Sequence, residues 1–199
     1  MLFRSELQKL SLEQLWELFP IVIRPHNEQY AAWYDAQRLH LQELLKASIV
    51  RISHIGSTAV KGLEAKPCVD ILLETDTRHP QELIKRLTQD GWILMSRKQE
   101  EQGDILCFNK GYTALGFAQK VYHLHVRYPA AWGELYFCDY LRAHDEACRE
   151  YAALKKELAQ TYRKDRDAYT HAKTQFIEEM TKRARRELSD KFSIAAENK

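Results

Sequence analysis

Three groups of residues in this chain have types and spacings that could do chemistry. The first is the turn His54-Ile55-Gly56-Ser57-Thr58 with the segment Lys66 to Glu74 behind it. A glycine at the end of a strand lets the backbone turn sharply and lets a phosphate approach the amides, and Ser57 and Thr58 add hydroxyl donors. A short helix starting there would aim its positive end at the anion, although Ser and Thr also serve as ordinary helix caps. Lys66 places a cation just ahead of an apolar run, and Asp70 interrupts that run. A carboxylate in a strand covered on both faces needs a partner, either a cation, a metal or several donors. Gly56, Ser57, Thr58 and Lys66 therefore read as a phosphate-binding set and Asp70 as a catalytic or metal-binding acid. A salt bridge behind the sheet is the competing reading of Asp70.

The second group is His123 and His125 in Tyr-His-Leu-His-Val. On a strand they share a face, so their imidazoles can converge on one ligand or metal. With Asp70 or His54 as a further ligand, they would hold zinc or another transition ion, and His125 beside Asp70 could take part in catalysis. Histidine pairs on strands also serve simply as hydrogen-bond partners. The third group is Asp165, Tyr169 and Lys173 along one edge of the last predicted helix. Together with Arg142 and His144 this edge could close over a pocket, with Lys173 catalytic and Arg142 on phosphate. The plain alternative is surface i, i+4 pairing, worth only ~0.3–0.5 kcal/mol per pair. Lys182, Arg183, Arg185 and Arg186 end a helix whose dipole they complement, and without interleaved aromatics they read as a solvated face.

The elements that must position these residues follow from periodicity. Ser11 and Gln14 form a capping-box pattern for a helix carrying Leu12, Leu15, Trp16 and Phe19, which stops at Pro20. Ile21 to Pro25 reads as an edge strand, and Asn27 as the cap of a helix with Tyr30, Tyr34, Leu41, Leu44 and Leu45 inward. Strands follow at Ile49 to His54 and Pro67 to Glu74, then a helix from Pro80 to a terminal Gly91. Three more strands are predicted around Trp92 to Ser96, Asp104 to Asn109 and Lys120 to Tyr128. Beyond Pro129 only helices are expected: Gly133 to Arg142, one capped by Asp145 with Ala147, Tyr151, Leu154, Leu158 and Tyr162 inward, and one from Asp165 with Tyr169, Ala172, Phe176 and Met180 inward.

This order predicts an α/β (α+β) fold, a small mixed sheet with flanking helices and a C-terminal helical subdomain. The expected divisions are 1–20 as a helical extension, 21–129 as the sheet domain, 130–188 as the helical subdomain and 189–199 as a polar tail. The composition is that of a globular protein, with 45% hydrophobic and 29% charged residues. Lys+Arg 30 against Asp+Glu 28 gives no field that would argue for nucleic acid or an anionic membrane. The four cysteines form no C-x-x-C pair, and charges interrupt the apolar runs at the amino terminus. The expectation is a cytoplasmic protein with reduced thiols.

The stretch HIGSTAVKGLEAKPCVDIL resembles the signature of the GrpB family, which reads close to HIGSTSVPGLxAKPxIDIL. YHLHV, FCDYLRAH, YAALKKELA and DRDAYTHAKTQFI resemble that family's later blocks, in the same order, so the resemblance runs from about Ile21 to Arg183. It implies a nucleotidyltransferase-like fold with a cleft at the Gly-Ser turn, in a family whose domain is also fused to some bacterial dephospho-CoA kinases. Gly56 and Ser57 match the superfamily's phosphate-binding pair and Asp70 its first metal-binding carboxylate. Leu72 stands where active transferases place the second, and His123 or His125 lies near the third. Lys61 replaces a proline of the family pattern.

One carboxylate cannot readily hold two Mg²⁺, which demand oxygen ligands in near-octahedral geometry. The expected function is nucleotidyl or phosphoryl transfer with a reduced divalent-metal site, taking Mg, Mn or Zn. The alternatives are a module that binds a nucleotide or another phosphorylated small molecule, or docks a protein partner, without turnover, and a His/Asp metal-dependent hydrolase.

Overall fold

In the computed structural model described here, residues 10–77, 79–189 and 191–193 are described; the rest of the two predicted terminal segments, 1–9 and 194–199, and positions 78 and 190 lie outside them. The chain starts with α1 (Leu12–Leu18), closed by the predicted capping box, in which the Ser11 hydroxyl accepts from the Gln14 amide while the Gln14 side chain accepts from the Ser11 amide. The segment after Pro20 is not a strand. It makes one antiparallel bridge, Arg24 to Ala65, because Pro25 cannot extend a ladder. Asn27 accepts from the Gln29 amide as α2 (Gln29–Leu45) begins.

Five strands form one mixed sheet in the order β1-β2-β5-β4-β3. They are β1 (Arg51–Ile55), β2 (Val69–Glu74), β3 (Ile93–Glu100), β4 (Gly103–Thr113) and β5 (Gly116–Arg127), with α3 (Pro80–Gln89) between β2 and β3. β2 and β5 run parallel and every other pair is antiparallel. The predicted first strand starts two positions late, at Arg51, because Lys46–Ser48 form a 3₁₀ turn after a positive φ at Lys46. One face of the sheet buries Val69, Ile71 and Leu73 of β2 beneath Tyr30, Leu41 and Leu45 of α2 and Leu83 and Leu87 of α3.

The other face carries Asp70, Leu72 and Glu74 and receives the helical layer: α4 (Gly133–Ala143), α5 (Asp145–Thr161), α6 (Arg166–Ala172) and α7 (Thr174–Leu188). Leu72 is fully buried against Ile55, Leu135 and Cys138. Glu74, on the same face as Asp70, makes a buried ion pair with Arg51 (Nη2–Oε1 2.8 Å), whereas among the described residues Asp70 pairs with His123 and His125 and with no arginine or lysine. Two helix details differ from the sequence reading. Asp145 is the first helical residue, with His144 as the cap. The single last helix is two, because the chain turns at Lys173 between α6 and α7. Asp165 caps α6 by accepting from the Ala168 amide.

Candidate functional site

A cavity of about 740 Å³ opens between the sheet, α1, and helices α5 and α6 of the helical layer. Its floor is Asp70. The carboxylate sits at the start of β2, 26% exposed, next to His123 across the parallel β2–β5 ladder. Gly56 faces it from the turn after β1. Its φ is +71°, and a Cβ added there would overlap the Asp70 carboxylate, so only glycine lets the turn lie this close.

Both strand histidines converge on this acid, as their shared face requires. His123 Nδ1 lies 3.0 Å and His125 Nε2 3.9 Å from Asp70 Oδ1. His123 Nε2 is 2.7 Å from the Tyr112 hydroxyl, which accepts from Arg166 Nη2 at 3.0 Å. One tautomer satisfies this chain: Nδ1–H donates to the carboxylate, which can only accept, and Nε2 accepts from Tyr112. Burial pushes His123 below its ordinary value, although Asp70 opposes this. Burial also disfavours charge on His125, but Asp70 and Cys107, whose Sγ is 3.7 Å from Nδ1, outweigh it and raise His125 to about 9. Asp70 is held well below the carboxylate range: burial alone would raise it, and the two imidazoles reverse that.

Opposite this acid stand four cations. Lys155 of α5 is 2% exposed, with Nζ 2.9 Å from Ser57 Oγ and also bonded to the Glu64 carbonyl. Burial, helped by Lys173, lowers it to about 7. Lys173, at the α6–α7 turn and over the Tyr169 ring, is lowered to about 8 by burial and by Lys66. Lys66 is lowered by burial and by Arg166. The three shifts share their causes: burial first, then a neighbouring cation in the same partly closed space, whose acidic lining residues are Asp70 and Asp167.

The predicted site residues divide accordingly. Gly56, Ser57, Thr58, Lys66, Asp70, His123, His125 and Lys173 all line the cavity. Thr58 is 3% exposed, and its hydroxyl bonds to the Cys68 carbonyl and His54, so it braces the turn. Arg142 does not enter the cavity; it binds the Ala59 and His54 carbonyls and Asp139 from outside the turn. His54 faces the opposite way, stacked on Tyr34 at 4.7 Å, and burial lowers it to about 4. Lys61 is exposed, and His144 pairs with Glu187.

Lys155, Tyr112, Arg166 and Cys68 were not anticipated. Lys155 had a signal, since it lies one helical turn after Tyr151 on the buried stripe of α5, where an unpaired lysine is out of place.

Leu72, the position where the resemblance would put a second acid, is apolar and sealed under α4, in keeping with the expectation that two magnesium ions are not held here. Among the described residues, Cys68, Asp70 and His123 form a trio whose ligand atoms all lie within 4.8 Å of one another. A mixed S, O, N set fits zinc better than magnesium.

A protein-family model described as GrpB protein matches residues 20–183. The chain belongs to the GrpB family. A relative, the glutamate-rich protein GrpB of Alkalihalophilus pseudofirmus, is 33% identical over 165 residues, covering 80% of this chain and 93% of the relative. The crystal structure of the conserved protein GrpB from Enterococcus faecalis superposes with a TM-score of 0.69 at 23% identity, over 83% of this chain and 98% of that one, and shares the GrpB fold. A crystal structure of the Cid1 poly(U) polymerase aligns at a TM-score of 0.47 and 12% identity over 81% of this chain and 51% of that one, too distant to carry an argument about this chain. Among the described residues, no helix is long and apolar enough to cross a membrane.

Proposed function

We propose that the GrpB cavity binds a phosphorylated small molecule of the nucleotide kind and acts in nucleotidyl or phosphoryl transfer to an acceptor hydroxyl seated at Asp70. The observation that carries this reading is the set of four cations, Lys66, Lys155, Arg166 and Lys173, facing Asp70 across one cavity. Lys155 and Lys173 are costly to keep charged while the cavity is empty of anions, and an arriving phosphate repays that cost. Ser57, on Lys155, orients the phosphate end. Asp70 accepts a hydrogen bond from the acceptor hydroxyl. The acceptor oxygen attacks phosphorus, the bond to the leaving phosphate breaks, and the cations carry the charge that develops on it. The acceptor proton leaves late, to Asp70. A single divalent ion held by Cys68, Asp70 and His123 would require His123 to give up one of its two hydrogen bonds, and would polarise a phosphoryl oxygen.

The burial of Leu72 favours a second reading, binding without turnover. Thermal shifts with the four ribonucleoside triphosphates, in Mg²⁺, Mn²⁺ or EDTA, separate these readings when repeated on Asp70→Asn. A ligand at 100 times its Kd adds ~2.7 kcal/mol, roughly 5–11 °C at this chain length. A shift retained by Asp70→Asn, with product formation lost, supports transfer. A shift without product from the wild type supports the binding module. No shift with any triphosphate removes both.

A further inference from the structure

The cavity lining is chemically mixed: Lys155, Lys173 and Ser57 are polar, while Leu15 and Trp16 of α1 and Met95 of β3 are apolar. We propose that Trp16 and Met95 form a subsite for a planar heteroaromatic ring carried by the same phosphorylated ligand, so that α1 sets which ligands this chain accepts. The inference rests on the phosphate-binding reading above and adds to it the chemistry of the ligand's other end.

Three independent observations carry it. First, α1 (Leu12–Leu18) lies outside residues 20–183, the segment that matches the family model. Second, the wall is fixed in place. Phe19, at the end of α1, is 3% exposed and packs on Tyr112 and Phe117 at 4.8 and 5.1 Å, Glu17 pairs with Lys164 at 3.1 Å, and the Ile21 amide donates to the Arg163 carbonyl. These contacts tie α1 to the sheet and to the loop before α6, the helix that carries Arg166. Third, the β3–β4 ladder shifts register between Leu94 and Ser96, and the unpaired residue there is Met95. Its side chain is 58% exposed at the cavity. A bulge beside a site re-aims a side chain, and a large exposed apolar residue loses its hydrophobic stabilisation unless something covers it.

Trp16 is half-buried and lines this cavity as well as a smaller one beside Glu17 and Lys164. A tryptophan face and a thioether suit a flat, polarisable ring, and neither demands a particular hydrogen-bond pattern. The cavity volume of about 740 Å³ falls within the range of small-molecule sites that enclose both a ring and a phosphate chain. The four cations in the same lining favour an anionic ligand over a neutral aromatic as the occupant.

The test is isothermal titration calorimetry of the full chain with ATP, UTP and inorganic tripolyphosphate, which share a triphosphate and differ in the ring. The wild type should bind at least one nucleotide on the order of tenfold more tightly than tripolyphosphate. Trp16→Ala should bring that nucleotide down to the tripolyphosphate affinity while leaving tripolyphosphate itself unchanged, and Trp16→Phe should restore most of the difference. Equal affinity of all three for the wild type, or a ratio that survives Trp16→Ala, overturns the ring subsite and leaves the phosphate reading standing. A loss of tripolyphosphate binding in Trp16→Ala also overturns it, because α1 would then be structural. If none of the three binds the wild type, both the phosphate reading and the subsite fall.

Discussion

Replacing Lys155 by methionine should make this protein more stable in mild acid, and the gain should fade as pH rises. The side chain is 2% exposed, and burial brings it from an ordinary 10.5 to about 7. Below pH 7 the folded protein must hold a charge that the unfolded chain keeps in water, and the difference of 3.5 units corresponds to about 5 kcal/mol. Against this, methionine forfeits the bonds to Ser57 Oγ and the Glu64 carbonyl, worth about 1 kcal/mol each. The sign is fixed by proton counting. Between pH 7 and 10.5 the unfolded state binds more protons at this group than the folded state, so wild-type stability rises with pH through that window. The methionine variant has no such term. Its advantage should be roughly 3 kcal/mol at pH 6, and near pH 10 it should vanish or reverse. Urea unfolding followed by circular dichroism at pH 6, 8 and 10 measures it directly. A variant that is destabilised by the same amount at all three pH values would refute the idea that Lys155 is held against its charge.

Three further outcomes follow from the same geometry. Asp70→Asn should lower the His125 pKa from about 9, visible by NMR titration of the imidazole; the stability His125 contributes is fully present below its unfolded value near 6.5 and is lost as pH rises through about 9. Gly56→Ala should destabilise the fold by about 2–4 kcal/mol, through a strained positive φ and a Cβ overlapping Asp70, and an unchanged Tm would contradict the turn geometry. Cys107, lowered by His125, should react with iodoacetamide at pH 7 faster than the buried Cys68 and Cys138, and His125→Gln should slow it; equal rates in both proteins would remove that pairing.

The sequence disclosed the floor of the site and hid much of its walls, for a physical reason. Gly56, Asp70, His123 and His125 announce themselves because each violates a local rule: a glycine at a strand end, an acid in an apolar strand, two imidazoles at strand period. Their neighbourhood across β2 and β5 then follows from the parallel pairing. Tyr112 and Arg166 violate nothing locally, and only the folded chain brings them to His123. Lys155 is the intermediate case, visible as a charge on a buried helical stripe but easily taken for the next polar face. Arg142 shows the converse: a cation near the motif in space can be spent on carbonyls outside the cavity. The supposed strand before α2 failed because five apolar or basic residues ending in proline have no partner ladder to join. The division of the last helix at Lys173 carries no proline or glycine to mark it.

The measurement that bears most directly on the phosphate-binding account is calorimetry of ATP binding at pH 8, run in two buffers of different ionisation enthalpy. Lys155 and Lys173, at about 7 and about 8 in the free protein, are then largely and half deprotonated. An anion seated between them should draw roughly one proton from the buffer, and that uptake should fall in Lys155→Met. Binding with no dependence on buffer enthalpy, or no binding at all, would contradict the account.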